Sequence, residues 1–473
     1  MVENDETETS RHSIWTFLSF GSYQITWTIP TATMSLFMFY YYHTIVGLDP
    51  LLILFVTVIN TVWASLNDPL IGYLTDRNFK WTQKWGRRFP WIMLAFIPQS
   101  LSLILIFSAP ELDPANPWPV VLWLLFSLVL FDLFITLVDI HAAILRADKF
   151  RTEKERRKYS GFFGAFDMIA QVLGMMLPPL LLFFGDTRMS YTVMAVAIGF
   201  IGIIFGVLFI PGAREDKIII DRYYSREYER LHIFKGVMIV LKQKSFMAFY
   251  AAYVAFLCAT TIMTGMVAYM TTFILQESED FMTIFFAIFL LGALISVPIW
   301  LKILKKVNNN KKVYLIGSFL LCALIVPLAF FQGPIDLAII MFLVGFGTGC
   351  VWSIGIPVML ANAQDDYVVR TGKNQKGLLI GTWAVLGLIT AFIDELLIAA
   401  VFTLTGFVPG ISDYAELVAT VANVDMVLFG IRLLLGIIPM LVLLVGTLIF
   451  WKYYPLTQEK ILENKAKLKE LGF

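Results

Sequence analysis

Residues 119–146 read PVVLWLLFSLVLFDLFITLVDIHAAILR, and this stretch decides the class of the fold. A helix crossing the hydrocarbon core needs roughly 20 mostly apolar residues, more if it is tilted. This run exceeds that length, and its only charged residues are Asp132, Asp139 and the closing Arg146. The chain around it has the same character. Of its 473 residues 58% are hydrophobic and 15% charged, with a mean hydropathy of +0.76. A soluble domain carries roughly 25% charged residues. So little polar surface cannot cover a water-soluble globule, and the bilayer is the natural solvent for the excess. Cys258, Cys322 and Cys350 all fall in apolar stretches, so no disulfide framework is expected. Residues 1–12 are acidic and polar, and the first apolar run is too long for a signal core, so no cleavable signal is expected.

Working outward, apolar runs between charged or turn-rich breaks give twelve spans. They lie near 14–42, 50–75, 91–110, 119–146, 160–184 and 190–212, then 245–274, 282–304, 313–332, 336–362, 377–407 and 425–453. Charge placement tests this division independently. With the N-terminus in the cytoplasm, all of the 36 Lys and Arg residues except Arg188 and Arg432 fall in inner segments or at inner helix ends. The positive-inside rule asks for this asymmetry over short loops. The longest connector, 214–244, separates six spans from six. It mixes Arg222, Arg226, Glu227, Glu229 and Arg230 with Tyr223, Tyr224, Ile233 and Phe234, the pattern of an amphipathic helix on the inner surface. The expected architecture is an all-α membrane protein of twelve transmembrane helices in two six-helix bundles. Residues 1–213 form the first bundle, 214–244 the connector, and 245–473 the second bundle with a cytoplasmic tail. No strong residue-level repeat relates the halves.

The second span ends in Asn67-Asp68-Pro69, followed by Gly72, Asp76 and Arg77, then by Trp85-Gly86-Arg87-Arg88-Phe89-Pro90-Trp91. This resembles the signature of the melibiose-permease family of glycoside–pentoside–hexuronide:cation symporters, on the major facilitator fold. Tyr40-Tyr41-Tyr42 with Val46-Gly47-Leu48 is similar to the end of that family's first helix. Trp352, Asp365 to Tyr367, Arg370-Thr371-Gly372-Lys373 and Gly377 are similar to its loop between helices ten and eleven. Physically, Gly72 permits a close approach at the helix end, and Asp76 has Arg77, Arg87 and Arg88 within reach. Such a cluster, with Gly86 and, in the second half, Asp365 and Arg370, is expected to act as a conformational latch. The alternative is that the basic residues only enforce topology; Asp76 does nothing for topology and favours the latch.

An ionised group at the bilayer centre costs about 2.5–3.5 kcal/mol on the mildest scale, so intramembrane acids are functional candidates. Here they are Asp68, Asp132, Asp139, Asp167, Asp394 and Glu395. Asp68, Asp139 and Asp167 each lie about seven residues inside the cytoplasmic end of their spans, one layer roughly 10 Å deep at 1.5 Å per residue. Three carboxylates in one low-dielectric layer repel, and a bound cation or a shared proton relieves that repulsion. The family's sodium site uses two acids one turn apart in helix two, an Asn between them, and a Thr three residues before an acid in helix four. The resemblance therefore implies that Asn67, Asp68, Thr136 and Asp139 bind the coupling cation. The first helix-two acid is replaced by Ala64; Asp167 is expected to restore that charge. The family's sugar-binding acid of helix one falls on Thr28, its Arg of helix five on Gly161 and its Lys of helix eleven on Leu388. A proton needs a single carboxylate that takes it up, so both H+ and Na+ remain open as coupling ions, with His141 available for a proton relay or a helix-interface hydrogen bond.

The mid-span Trp27, Trp63, Trp352 and Trp383 offer stacking surfaces for the apolar faces of a sugar, and packing is their alternative role. With Thr28, Asp132 and Asp394 they complete the expected substrate-binding set. Asp394 and Glu395 lie further outward, facing a cavity or pairing with Arg432. The histidines, His12, His43, His141 and His232, form no metal-spaced cluster, and there is no phosphate-binding glycine loop. No catalytic residues, metal, cofactor or nucleic-acid partner is expected. The expected function is cation-coupled symport of a sugar or glycoside-like small polar solute by alternating access. The alternative is a carrier of lysolipid or another amphipath. The protein is expected to be a monomer, multi-pass in the cell membrane, with both termini cytoplasmic.

Overall fold

The computed structural model describes residues 12–75, 79–150, 152–182, 185, 187–217, 219–220, 238, 240–278, 281–372 and 376–470. Helices run Ile14–Gly21 (α1), Tyr23–Tyr40 (α2), Pro50–Thr75 (α3), Thr82–Trp85 (α4), Phe89–Ile106 (α5), Trp118–Lys149 (α6), Glu153–Leu181 (α7) and Arg188–Ala213 (α8). They continue as Lys244–Tyr269 (α9), Phe281–Val307 (α10), Asn310–Ile325 (α11), Pro334–Ile354 (α12), Ala361–Thr371 (α13) and Lys376–Thr405 (α14). Tyr414–Thr420 (α15), Val424–Arg432 (α16), Ile438–Tyr453 (α17) and Gln458–Glu470 (α18) complete the set. Each apolar run marked in the sequence is helical over most of its length. Among the described residues ten helices are long and apolar enough to cross a membrane. The first run is broken at Ser22 into α1 and α2, and the run 377–407 is α14.

The chain divides into two compact units: residues 1–48 with 55–228, and residues 49–54 with 229–473. In the first unit, α2 packs on α7 and α8, and α5 on α6 and α8. Its core at one end is aromatic: Phe17 stacks on Phe150 at 4.9 Å, and Phe20 meets Phe150, Tyr159 and Phe209 edge-on. Helix termini leave carbonyls without partners. At the end of α8 the buried ammonium of Lys149 takes two of these, donating to the carbonyls of Gly212 and Arg214 at 2.7 Å each. Burial pushes the Lys149 ammonium below its ordinary pKa. Beside it His12 joins Glu155 and Asp216, its Nδ1 at 2.7 Å from Glu155 Oε1 and its Nε2 at 2.9 Å from Asp216 Oδ2.

In the second unit α10 lies against α12 and α9 against α17. The first pair approaches so closely because Gly345 faces the backbone carbonyl of Phe289, Gly349 faces Ser296, and Gly292 faces the carbonyl of Phe342; a Cβ at any of them would collide. Small residues bring backbones together in this way in bilayers, where water supplies no force between helices.

Among the described residues irregular turns interrupt two helices and end three others. π-helical segments run Tyr41–Val46, Met270–Leu275, Gly355–Leu360 and Leu433–Ile437, and a 3-10 turn runs Val326–Ala329. Pro357 lies inside one and Pro439 follows another, where a missing N–H breaks the regular ladder. The segments Tyr41–Val46 and Met270–Leu275 match in detail. Each ends in a left-handed residue, Gly47 at φ 88° and Gln276 at φ 57°. Each is closed by an N–H reaching six residues back, Leu48 to Tyr42 and Glu277 to Thr271. Most of the connector expected over 214–244 lies outside the described residues.

Candidate functional site

The intramembrane acids of the first unit are each held by a polar partner on a neighbouring helix. Asn67, fully buried on α3, donates from Nδ2 to Asp132 of α6, 3.0 Å to Oδ2 and 3.3 Å to the backbone carbonyl. Asp68, next along α3, accepts a hydrogen bond from Thr136, one turn after Asp132 on α6. The following turn of α6 carries Asp139, whose Oδ1 accepts from the Tyr23 hydroxyl of α2 at 2.8 Å. Asp167 of α7 accepts from the Gln24 amide of α2 at 2.9 Å. Successive turns of α6 thus present Asp132, Thr136 and Asp139 to α3 on one side and α2 on the other. Asp68 lies within electrostatic reach of both Asp132 and Asp139.

One oxygen in this group has no partner. Asn67 Oδ1 is buried and accepts no hydrogen bond among the described residues. A buried acceptor without a donor costs free energy unless a proton or cation meets it. Ala64, one turn before Asp68 on the buried side of α3, adds no oxygen. Tyr23 and Gln24 carry the second half of the arrangement and were missed by sequence reasoning. They sit side by side near the start of α2, and Gln24 is buried at 7% exposure; the one signal the sequence offered is an amide inside an uncharged span.

His141 does not join the acids. It is fully buried, stacks on Trp91 at 6.2 Å between ring centroids, and has its Nδ1 3.5 Å from Arg88 Nη1. Of the expected stacking residues, Trp27 packs half-buried against the core of the first unit. Trp63 is half-buried on α3, and Thr28 is buried on α2. Trp352, 39% exposed on α12, meets the edge of Phe289. The Trp383 side chain lies outside the described residues.

Asp394 is 3% exposed on α14, with Thr390 and Cys258 beside it. The pairing of Asp394 and Glu395 with Arg432 does not occur. The Arg432 guanidinium instead donates to the carbonyls of Phe331 at 2.8 Å and Ala329 at 3.3 Å, because the loop that follows the 3-10 turn offers free carbonyls closer to it.

The loop expected to act as a latch is anchored within the first unit. Gly86 adopts φ 90° and ψ −179°, a backbone region open to glycine alone. The carboxylate of Glu215 fills the space a Cβ would need and accepts from the backbone N–H groups of Arg88 and of Phe89, the latter at 3.1 Å. Glu215 thereby caps the N-terminus of α5, where the helix dipole favours a negative charge. Asp76 and Arg77 lie outside the described residues, Gly72 faces open space, and Arg87 is half-buried. In the second unit Arg370 pairs with Asp366 at 3.1 Å. Asp366 is a buried hub, also bonded to the Ser245 hydroxyl at 2.6 Å and the Asn464 amide at 3.3 Å. The spacing of four between Asp366 and Arg370 is the helical pairing distance, and it was the signal that separates Asp366 from Asp365. Among the described residues, no three His, Cys, Asp or Glu side chains are grouped so as to hold a metal ion.

Known proteins share this fold. A family model described as MFS/sugar transport protein matches residues 19–458. The sodium-dependent lysophosphatidylcholine symporter 1 of Gallus gallus is 21% identical over 93% of this chain and 86% of its own length. The lactose permease of Lactobacillus delbrueckii subsp. bulgaricus is 22% identical over 85% of this chain and 63% of its own. Among solved structures, a bacterial homolog of the human lysosomal transporter Spinster, inward-facing and unoccupied, superposes with a TM-score of 0.65. It does so at 11% identity over 97% of this chain and 99% of that one. A D-xylose-proton symporter gives 0.60 at 14% identity over 93% and 97%. A membrane chain of two helical units, with paired acids inside one of them and a family match over nearly its whole length, belongs to the MFS/sugar transport protein family.

Proposed function

We propose that the protein is a cation-coupled symporter whose coupling site is the acid group of the first unit: Asn67, Asp68, Thr136 and Asp139, with Asp132 held by Asn67. The observation that carries this is the pairing of each intramembrane acid of the first unit with a neutral donor. Arg146 is the one cation acting on Asp139 among the described residues, so most of the negative charge of the group is left for a cation taken from solution to compensate. The buried, unpartnered Asn67 Oδ1 suits an oxygen-coordinated ion, whereas Ala64 leaves the site one carboxylate short of the melibiose-permease pattern. Asp167 is engaged by Gln24 on α2, so its compensation for Ala64 requires a change of partner. H+ and Na+ are both compatible with these groups.

For the cargo, the polar interior supports a sugar or glycoside-like small solute as the first reading. The second reading, a lysolipid or other amphipath, is favoured by the lysophosphatidylcholine symporters that match along almost the whole chain. Gly161 and Leu388, where the sugar-binding family carries charges, favour it as well. The basic loops support a multi-pass protein in the cell membrane, with its two bundles joined by a cytoplasmic connector and both termini inside; a monomer is the proposed state.

Proteoliposome uptake of glycosides, uronides and lysolipids, with and without sodium and pH gradients, tests both parts. Accumulation driven by either gradient, and lost in Asp68→Asn and Asp139→Asn, is the expected result. Wild-type accumulation in both variants would remove the coupling role from this site.

A further inference from the structure

Arg432 and Arg188 are the two cations of the chain that lie away from the basic loops, so topology explains neither. Their surroundings differ. Arg188 uses both terminal nitrogens as a staple, Nη1 to the carbonyl of Pro110 and Nη2 to that of Val46, each at 3.2 Å. Arg432 uses Nη1 alone, on the carbonyls of Ala329 and Phe331, and its guanidinium plane lies 4.9 Å from the centre of the Phe331 ring. Nη2 and Nε make no hydrogen bond, and no carboxylate pairs with the group among the described residues. The acid of the same loop, Asp336, accepts from the backbone N–H of Gln332.

Arg432 also lines a cavity of about 310 Å³, together with residues 329–332, Phe429, Leu433 and Ile437. The cavity opens on exposed aromatic surface: Phe330 is 67% exposed and Phe429 52%. Leu433 and Ile437 belong to the π-helical segment Leu433–Ile437, an irregularity of the kind that collects at binding sites. A fixed, half-desolvated guanidinium with one fork of donors unused matches an oxyanion, and the apolar rim matches hydrocarbon.

We propose that this cavity binds the phosphodiester headgroup of an anionic phospholipid, with Arg432 Nη2 and Nε on the phosphate oxygens and an acyl chain along Phe330 and Phe429. Phe331 and the two carbonyls hold the guanidinium flat, so the ligand meets a preorganised fork. The site lies wholly within the second unit and is independent of the acid group proposed for coupling.

The test is thermal unfolding of the purified protein in detergent against dioleoyl-phosphatidylglycerol, dioleoylglycerol and inorganic phosphate. Phosphatidylglycerol is expected to raise Tm by several degrees, with no comparable rise from the other two. Arg432→Gln should weaken the response to phosphatidylglycerol at least tenfold. An equal rise in Arg432→Gln, or an equal rise with dioleoylglycerol, overturns the proposal, and an equal rise with phosphate alone overturns the lipid as the source of the anion. Phe429→Trp keeps Arg432 and gives a second reading. Its added fluorescence should be quenched by brominated phosphatidylglycerol at least tenfold more readily than by brominated dioleoylglycerol, and equal quenching refutes the assignment.

Discussion

Gly86 and Glu215 occupy one space, and a double-mutant cycle reads that directly. Glu215→Ala removes the acceptor of two N–H groups at the start of α5, together with a negative charge at the helix N-terminus. Lost caps and dipole interactions of this kind total about 2 kcal/mol. Gly86→Ala costs about 1–3 kcal/mol for an L-residue at φ 90° and ψ −179°. The new Cβ would also lie 2.7 Å from Glu215 Oε2 and closer still to the carboxyl carbon, so it evicts the carboxylate. The single variant therefore loses the cap as well, for about 4 kcal/mol in all. In the double variant the cap is lost only once. The total stays near 4 kcal/mol instead of the 6 that addition gives, a coupling of about 2 kcal/mol. For a unit of about 200 residues this corresponds to roughly 4–8 °C in Tm. Unfolding of the four proteins in detergent, followed by intrinsic fluorescence, measures it. Shifts that add within about 0.5 kcal/mol would refute the placement of Glu215 against Gly86.

His12 carries a pH dependence of defined sign. Its hydrogen bond to Asp216, and next that to Glu155, hold the imidazole above its ordinary 6.5, outweighing burial. The stability it contributes is thus complete below pH 6.5 and lost as pH rises through the raised value, so His12→Ala should lower Tm at pH 6 and have little effect at pH 9. Because Asp216 is 41% exposed, the contribution is at most about 1 kcal/mol; a Tm loss equal at both pH values would contradict it. Gly345→Ala drives a methyl into the Phe289 carbonyl and should cost about 1–3 kcal/mol of α10–α12 packing, seen as a lower Tm. Gly164→Ala, facing open space in α7, serves as the control and should be neutral or slightly stabilising. Tyr23→Phe removes a donor that competes with a cation for Asp139. A hydrogen bond to a charged group contributes about 1.5–3 kcal/mol, so half-saturation by the coupling ion should fall about tenfold or more in gradient-driven uptake. An unchanged value would place Asp139 outside the coupling step.

The spans were legible because hydropathy and loop charge are properties of whole segments, and runs such as 119–146 leave no other reading. The acids were legible because a carboxylate in an apolar run is costly wherever it points. Their partners were not. Tyr23 and Gln24 lie in a helix whose neighbours are chosen by folding, and nothing local aims them at Asp139 or Asp167. Arg432 shows the same limit, since charge alone suggested Asp394 and Glu395 while two backbone carbonyls took the guanidinium. Asp366 was within reach of sequence reasoning through its spacing to Arg370, whereas Glu215, far along the chain from Gly86, was not.

The paired π turns give the two halves a common register. No repeat of residues joins the halves, yet each carries the same backbone error at the same station, Tyr41 in one standing where Met270 stands in the other. An extra residue of this kind is costly to remove, because removing it would turn the rest of the helix to a new face. It therefore supplies a ruler between the halves. Counting back from it, Tyr23 and Gln24 fall on Ala252 and Tyr253. At this register the first half places a hydroxyl and an amide on buried acids, while the second half places a methyl and a hydroxyl, so one backbone irregularity serves two differently equipped helices.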